Sequence, residues 1–171
     1  VATNAHLSKE FGETYKQIEE DGFKIDEKVE NLLYADTKSA VAKSTGLASF
    51  MLSDVYSRIN PDVVLLLGDR YETHAAATSA MLMNIPIAHI HGGEITQGAV
   101  DEKIRHSITK MSSIHFTATD LYNRRVVQMG EAPETVFTVG APGVDRILSL
   151  EYLKKTEIES ELGSKIKKPT A

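Results

Sequence analysis

Pro61-Asp62-Val63-Val64-Leu65-Leu66-Leu67-Gly68-Asp69-Arg70 is the stretch on which the fold turns. Val63 to Leu67 run apolar without the alternation of a half-wet strand, so the segment reads as a parallel strand covered on both faces. Gly68-Asp69-Arg70 closes it, and an alanine-rich helix is predicted from about Tyr71 to Asn84. On the N-terminal side, Val41, Ala48, Met51, Leu52, Val55 and Ile59 recur at helical spacing from Thr37 onward, and that helix should stop before Pro61. Ser8 is placed to cap an earlier helix running to about Gly22, and Lys24 to Leu33 leaves room for one short strand. On the C-terminal side the alternation repeats. Strands are expected at Ile85 to Ile90, Ile114 to Ala118 and Val136 to Val139, with helices from Asp101 to about Ser112 and from Asp120 to Met129. Strand and helix at this spacing build βαβ units, so the class is α/β with a parallel sheet and flanking helices.

The bulk numbers narrow the function. With 42% hydrophobic and 25% charged residues among 171, the chain is of ordinary globular composition, and one domain is the default. A net charge of −5 argues against nucleic acid as partner, while 19 Lys and Arg leave room for a local basic pocket that takes a small anion. The absence of cysteine removes disulfides, thiolate metal sites and a cysteine nucleophile. The longest apolar run, Val63 to Leu67, is far too short for a bilayer, and no signal-peptide pattern opens the chain. A cytoplasmic protein without a membrane partner is expected. The start at Val1-Ala2-Thr3-Asn4 reads like the tail of a buried strand, and Lys167 to Ala171 like the approach to another element.

Ligands of open parallel sheets bind beyond the carboxyl ends of the strands. Three places qualify: Gly68-Asp69-Arg70, His91-Gly92-Gly93-Glu94 and Gly140-Ala141-Pro142-Gly143. None is a dinucleotide fingerprint or a Walker loop. Asp69 is either a partly desolvated carboxylate suited to proton transfer or a cap of the following helix, and spacing leaves both open. His91 combines a titratable ring with a flexible backbone, but a histidine at a strand end is more often structural than catalytic; Glu94 is the better acid or base. Asp101 and Arg105 share a helix face and read, on spacing alone, as a surface ion pair. His106 and Lys110 form a second such pair, able to attract phosphate or simply to face solvent.

Taken in order, these segments resemble the hydrolysing UDP-N-acetylglucosamine 2-epimerases of sialic-acid and legionaminic-acid pathways. The resemblance rests on Gly68-Asp69-Arg70, His89-Ile90-His91-Gly92-Gly93-Glu94 and Asp101 through Lys110. It extends to Gln128-Met129-Gly130-Glu131, Val139 through Asp145, Thr3 through Ser8, and Phe11-Gly12, nearly the whole chain. It implies a Rossmann-like domain that is one half of a two-domain B-type glycosyltransferase fold. It further implies residues 1–147 as the N-terminal domain without its first strand, and 148–171 as a helical segment leading to a C-terminal UDP-binding domain.

The implied reaction eliminates UDP from C1 as a base takes the C2 proton. Water then adds to the resulting glycal, with protonation at C2 from the other face. No metal or other cofactor is implied. By position Asp69 and Asp101 match the catalytic acid/base carboxylates, with His91 or Glu94 taking the further proton-transfer role, and Gly68, Arg70, Gly92, Gly93, Arg105 and His106 fall at the substrate contacts, with Arg105 holding Asp101 or the diphosphate. His91 stands where the sialic-acid enzymes carry glutamate, a departure compatible with the branch acting on UDP-N,N'-diacetylbacillosamine. The resemblance also implies a homo-oligomer, and a chain of this extent would be inactive alone. A non-hydrolysing epimerase (GDT at the strand end), a B-type transferase domain and a non-enzymatic binding domain are the competing readings.

Overall fold

The computed structural model describes residues 1–35 and 37–165, in two compact units, Val1–Gly140 and a second that begins at Ala141. The expected basic approach at Lys167 to Ala171 lies outside the described residues.

The first unit holds two parallel sheets. β1 (Ala2–Thr3) pairs with β2 (Lys28–Val29), and β3 (Val64–Leu67), β4 (Ile87–Ile90), β5 (Ile114–Thr117) and β6 (Val136–Thr138) lie side by side in chain order. The helices fall where the apolar spacing put them: α2 (Lys38–Ile59), α3 (Tyr71–Leu82), α4 (Val100–Met111) and α5 (Asp120–Gln128). Thr37 caps α2 by accepting from the Ala40 N–H, and Asn60, at φ 49°, ends it before Pro61. The alanines of α3 explain its packing. Ala75, Ala77 and Ala80 are fully buried, which lets α2 come close enough for Ser79 Oγ to reach the Ser49 carbonyl at 3.0 Å. Leu52 and Val55 of α2, Leu66 of β3, Ile87 of β4 and Ile108 of α4 complete this core.

Two expectations fail. Ser8 does not start a helix: it ends the 3-10 turn Asn4–Leu7, with its N–H on the Ala5 carbonyl. The left-handed conformations of Gly12 (φ 84°) and Glu13 (φ 48°) interrupt the backbone there, so α1 is confined to Tyr15–Glu20. The apolar strand is not covered on both faces either, since Leu65 is 61% and Leu67 57% exposed while Leu66 is buried. The core that α2 and α3 share with β3 reaches Leu66, and among the described residues β3 has no hydrogen-bonded neighbour on its side away from β4. The unalternating run thus reports strand identity without reporting what lies on each face.

The second unit contains α6 (Pro142–Ser149) and α7 (Lys155–Leu162). Pro142 opens α6 at the position where its missing N–H costs nothing, and Gly163 at φ 61° ends α7. Among the described residues no helix is long and apolar enough to cross a membrane.

Candidate functional site at the carboxyl ends of β3 and β4

The register Leu67↔Ile90 brings the ends of β3 and β4 level, so the segments that follow them start one strand spacing apart. Beyond β3, Gly68 turns the chain at φ 84°, a conformation in which a side chain would be strained, and its N–H still bonds the Ile90 carbonyl at 3.1 Å. Asp69 follows. It does not cap α3, whose N-cap is Arg70 without any side-chain cap bond. Its carboxylate instead accepts from Nη2 of Arg105, which projects from α4. Arg105 is 7% exposed and also donates to Thr96 Oγ1 at 3.2 Å. The expected i,i+4 pairing of Arg105 with Asp101 is therefore replaced by a long-range one, because Arg105 faces the sheet end rather than solvent.

Beyond β4, His91 sits at φ 69°, uncommon for a residue with a side chain. This conformation lets its Nδ1 meet Glu94 Oε1 at 2.6 Å, with both side chains about a quarter exposed. The loop between them lies against α5. A Cβ on Gly93 (φ 79°) would stand 2.5 Å from the Tyr122 carbonyl oxygen, so only glycine fits. The Gly93 carbonyl accepts from Arg125 Nη1. Gly92 packs less tightly, a Cβ there standing 3.2 Å from Thr109 Oγ1 and 3.3 Å from His89 Nδ1.

The remaining predicted residues divide. Arg70 is paired with Glu72, Nε to Oε1 at 2.5 Å. Burial opposes its charge, but Glu72, Tyr71 and Asp101 outweigh that and hold it above its ordinary value. Asp101, in the first turn of α4, lines a 640 Å³ cavity with Lys38, Tyr71, His74 and Ile104. His106 shares no hydrogen bond or ion pair with Asp69, His91 or Glu94 among the described residues, and its Nδ1 is buried without a partner. Lys110 is engaged away from His106. It lies in the last turn of α4 and binds Glu131 at 2.5 Å and the Met129 carbonyl at 3.2 Å.

Three residues important to this geometry were given no role by the sequence: His89 and Thr109, which fall inside the motif stretches, and Arg125, which lies outside them. His89 alone gave a readable signal, since a histidine inside an apolar strand must find partners for its ring nitrogens. Burial pushes its imidazole down to about 4, with the Gly68 carbonyl opposing.

An open parallel sheet that gathers carboxylates, an imidazole and a buried guanidinium past its carboxyl strand ends defines an α/β domain with its polar groups where ligands of such sheets bind. The chain belongs to the UDP-N-acetylglucosamine 2-epimerase family, which it matches over residues 1–171. It is 45% identical over 168 residues to a Campylobacter jejuni protein named GDP/UDP-N,N'-diacetylbacillosamine 2-epimerase (hydrolyzing), covering 98% of this chain and 44% of that protein. A Legionella pneumophila UDP-N,N'-diacetylbacillosamine 2-epimerase (hydrolyzing) is 44% identical over 146 residues, 85% of this chain and 38% of that one. Among solved structures, UDP-GlcNAc 2-epimerase from Neisseria meningitidis bound to UDP-GlcNAc superposes with a TM-score of 0.72 at 26% identity, over 88% of this chain and 41% of that one. The Methanocaldococcus jannaschii UDP-GlcNAc 2-epimerase shares the fold with a TM-score of 0.73, over 92% of this chain and 41% of its own. The α/β class and its place within a B-type glycosyltransferase architecture are thus those of the solved relatives. The chain spans less than half the length of the relatives it matches.

Proposed function

We propose that the full-length protein is a hydrolysing 2-epimerase that converts a UDP-activated N-acetylated amino sugar and water to UDP and the free C2-inverted sugar. The observation that carries this reading is the pairing at neighbouring strand ends of Asp69 with Arg105 and of His91 with Glu94. Elimination followed by hydration needs two proton-transfer groups near one carbon and a cation near the departing phosphate. In the first stage one group removes the C2 proton and the C1–O bond breaks, its electrons leaving with UDP. In the second, water supplies the C1 hydroxyl and the opposite face of C2 is protonated. Asp69, His91, Glu94 and Asp101 are assigned to these proton transfers. Gly68, Arg70, Gly92, Gly93, Arg105 and His106 are assigned to substrate contact, with Arg105 also holding Asp69.

The substrate we favour is UDP-N,N'-diacetylbacillosamine, because both hydrolysing relatives above are named for it and this chain carries His91 at the departing position. UDP-GlcNAc is second, as in the Neisseria complex. Residues 1–147 would form the proton-transfer domain and 148–171 would lead to a UDP-binding domain supplied by the remaining length that the relatives have. A cytoplasmic homo-oligomer serving nonulosonate synthesis of the sialic-acid type completes the proposal. The test is to incubate full-length protein with each sugar nucleotide and follow UDP and free sugar by chromatography. Release of UDP with a manno-configured sugar is expected. UDP that stays attached, or leaves only with an added acceptor, contradicts hydrolysis and favours a non-hydrolysing epimerase or a transferase.

A further inference from the structure

The side chains of the two strand-end pairs sit on two turns and one helix, and a single further side chain touches all three. His89, the third residue of β4, is fully buried. Its Nε2 lies 2.8 Å from the Gly68 carbonyl oxygen and its Nδ1 lies 3.3 Å from Thr109 Oγ1 on α4. Thr109 Oγ1 is in turn 3.1 Å from the carbonyl oxygen of Arg105, one helical turn earlier. The same ring floors the loop after β4, since a Cβ on Gly92 would stand 3.3 Å from His89 Nδ1 and 3.2 Å from Thr109 Oγ1.

The bonding pattern fixes the tautomer. A carbonyl oxygen only accepts, so Nε2 carries the proton, and Nδ1 of the neutral ring is left to accept. The Thr109 hydroxyl supplies it, sharing its proton with the Arg105 carbonyl. Gly68 has little else to hold it. A Cβ there would find no atom within 4 Å, and the turn is otherwise anchored by its N–H bond to Ile90.

We infer that His89 is a positioning residue. By donating to the Gly68 carbonyl and accepting from Thr109, it ties the turn bearing Asp69 to the helix bearing Arg105. It thereby holds the Asp69–Arg105 and His91–Glu94 pairs in fixed relation. Its catalytic consequence rests on the function proposed above; the bonds themselves do not.

The experiment uses full-length protein. His89→Leu keeps bulk and removes both bonds, His89→Gln restores a donor near Gly68, and Thr109→Val removes the acceptor-side partner alone. His89→Leu should lower kcat about 10- to 100-fold with KM changed by less than about 3-fold, because small misplacements act on the transition state. His89→Gln should recover most of that loss, and Thr109→Val should fall between. Long-range proton–nitrogen spectra should show His89 as the Nε2–H tautomer, unchanged from about pH 6 to about pH 9. Wild-type kcat in His89→Leu, a glutamine variant no better than leucine, or an Nδ1–H tautomer would each overturn the inference. If wild-type protein releases no UDP, the proposed function fails, and the tautomer then decides whether the tie exists.

Discussion

Replacing Asp69 tests the site through stability as well as turnover. Arg105 is buried, its side chain 8% exposed against 21% for Asp69, and its remaining described partner is the Thr96 hydroxyl. Breaking a fully buried ion pair by removing one partner costs about 3–5 kcal/mol, because a charge is left without compensation. Asp69 is one-fifth open to water, which admits some solvation of the abandoned guanidinium. The expected cost of Asp69→Ala is therefore about 2–3 kcal/mol. In the double variant with Arg105→Leu that charge is gone, so the two effects should fall short of additivity by about 2 kcal/mol. Asp69→Asn separates stability from chemistry. Its amide oxygen still accepts from Arg105, so only about 1 kcal/mol is lost, while turnover should drop about 10²- to 10⁴-fold. The assay is urea unfolding of the full-length variants, followed by circular dichroism, beside UDP release. Additivity within about 0.5 kcal/mol would refute the pairing, and near-normal turnover of Asp69→Asn would refute its role.

Other perturbations probe the same frame. Gly93→Ala would force a Cβ to 2.5 Å from the Tyr122 carbonyl at φ 79°, so it should cost clearly more stability than Gly68→Ala, whose Cβ meets open space and bears only the left-handed strain of about 1–2 kcal/mol; equal midpoints would show that the loop after β4 does not rest on α5. His91→Ala and Glu94→Gln should each cut turnover about 10²- to 10⁴-fold, and a wild-type rate in either removes it from the proton-transfer set. Stability should also fall in acid. The native His89 ring resists protonation until about 4, whereas an unfolded histidine takes its proton near 6.5. Its contribution, up to about 3 kcal/mol, is therefore intact above 6.5 and lost as pH drops toward 4. His115, buried and likewise pushed down, adds in the same direction. Urea midpoints between about pH 7 and about pH 5 should decline less steeply for His89→Gln than for wild type, and parallel declines would contradict this.

The periodic parts of the fold were legible because each depends on local spacing. Thr37, Pro61 and the apolar positions between them define α2 within a residue of its ends, and Gly68 and Gly140 mark strand ends by requiring positive φ. What depended on partners remote in sequence was not legible. Arg105 lies four residues from Asp101 but pairs with Asp69, 36 positions away, because the β3–β4 register and the docking of α4 decide which carboxylate it meets. Spacing could not show that Leu65 and Leu67 are uncovered while Leu66 is packed, since the three are alike as letters. Ser8 misled for a different reason: a capping residue is only a start signal if the backbone that follows is free to be helical, and Gly12 and Glu13 are not. Arg125 carried no signal, being one of two adjacent arginines on α5, and only the fold selects it for the Gly93 carbonyl.

The most direct measurement is turnover of UDP-N,N'-diacetylbacillosamine by full-length protein in deuterium oxide, with the released sugar examined by NMR and mass spectrometry. If proton removal and return occur at C2 between the β3 and β4 ends, the product carries one solvent deuteron there and has the manno configuration. Retention of the original hydrogen at C2 would contradict proton transfer as the reaction of this site.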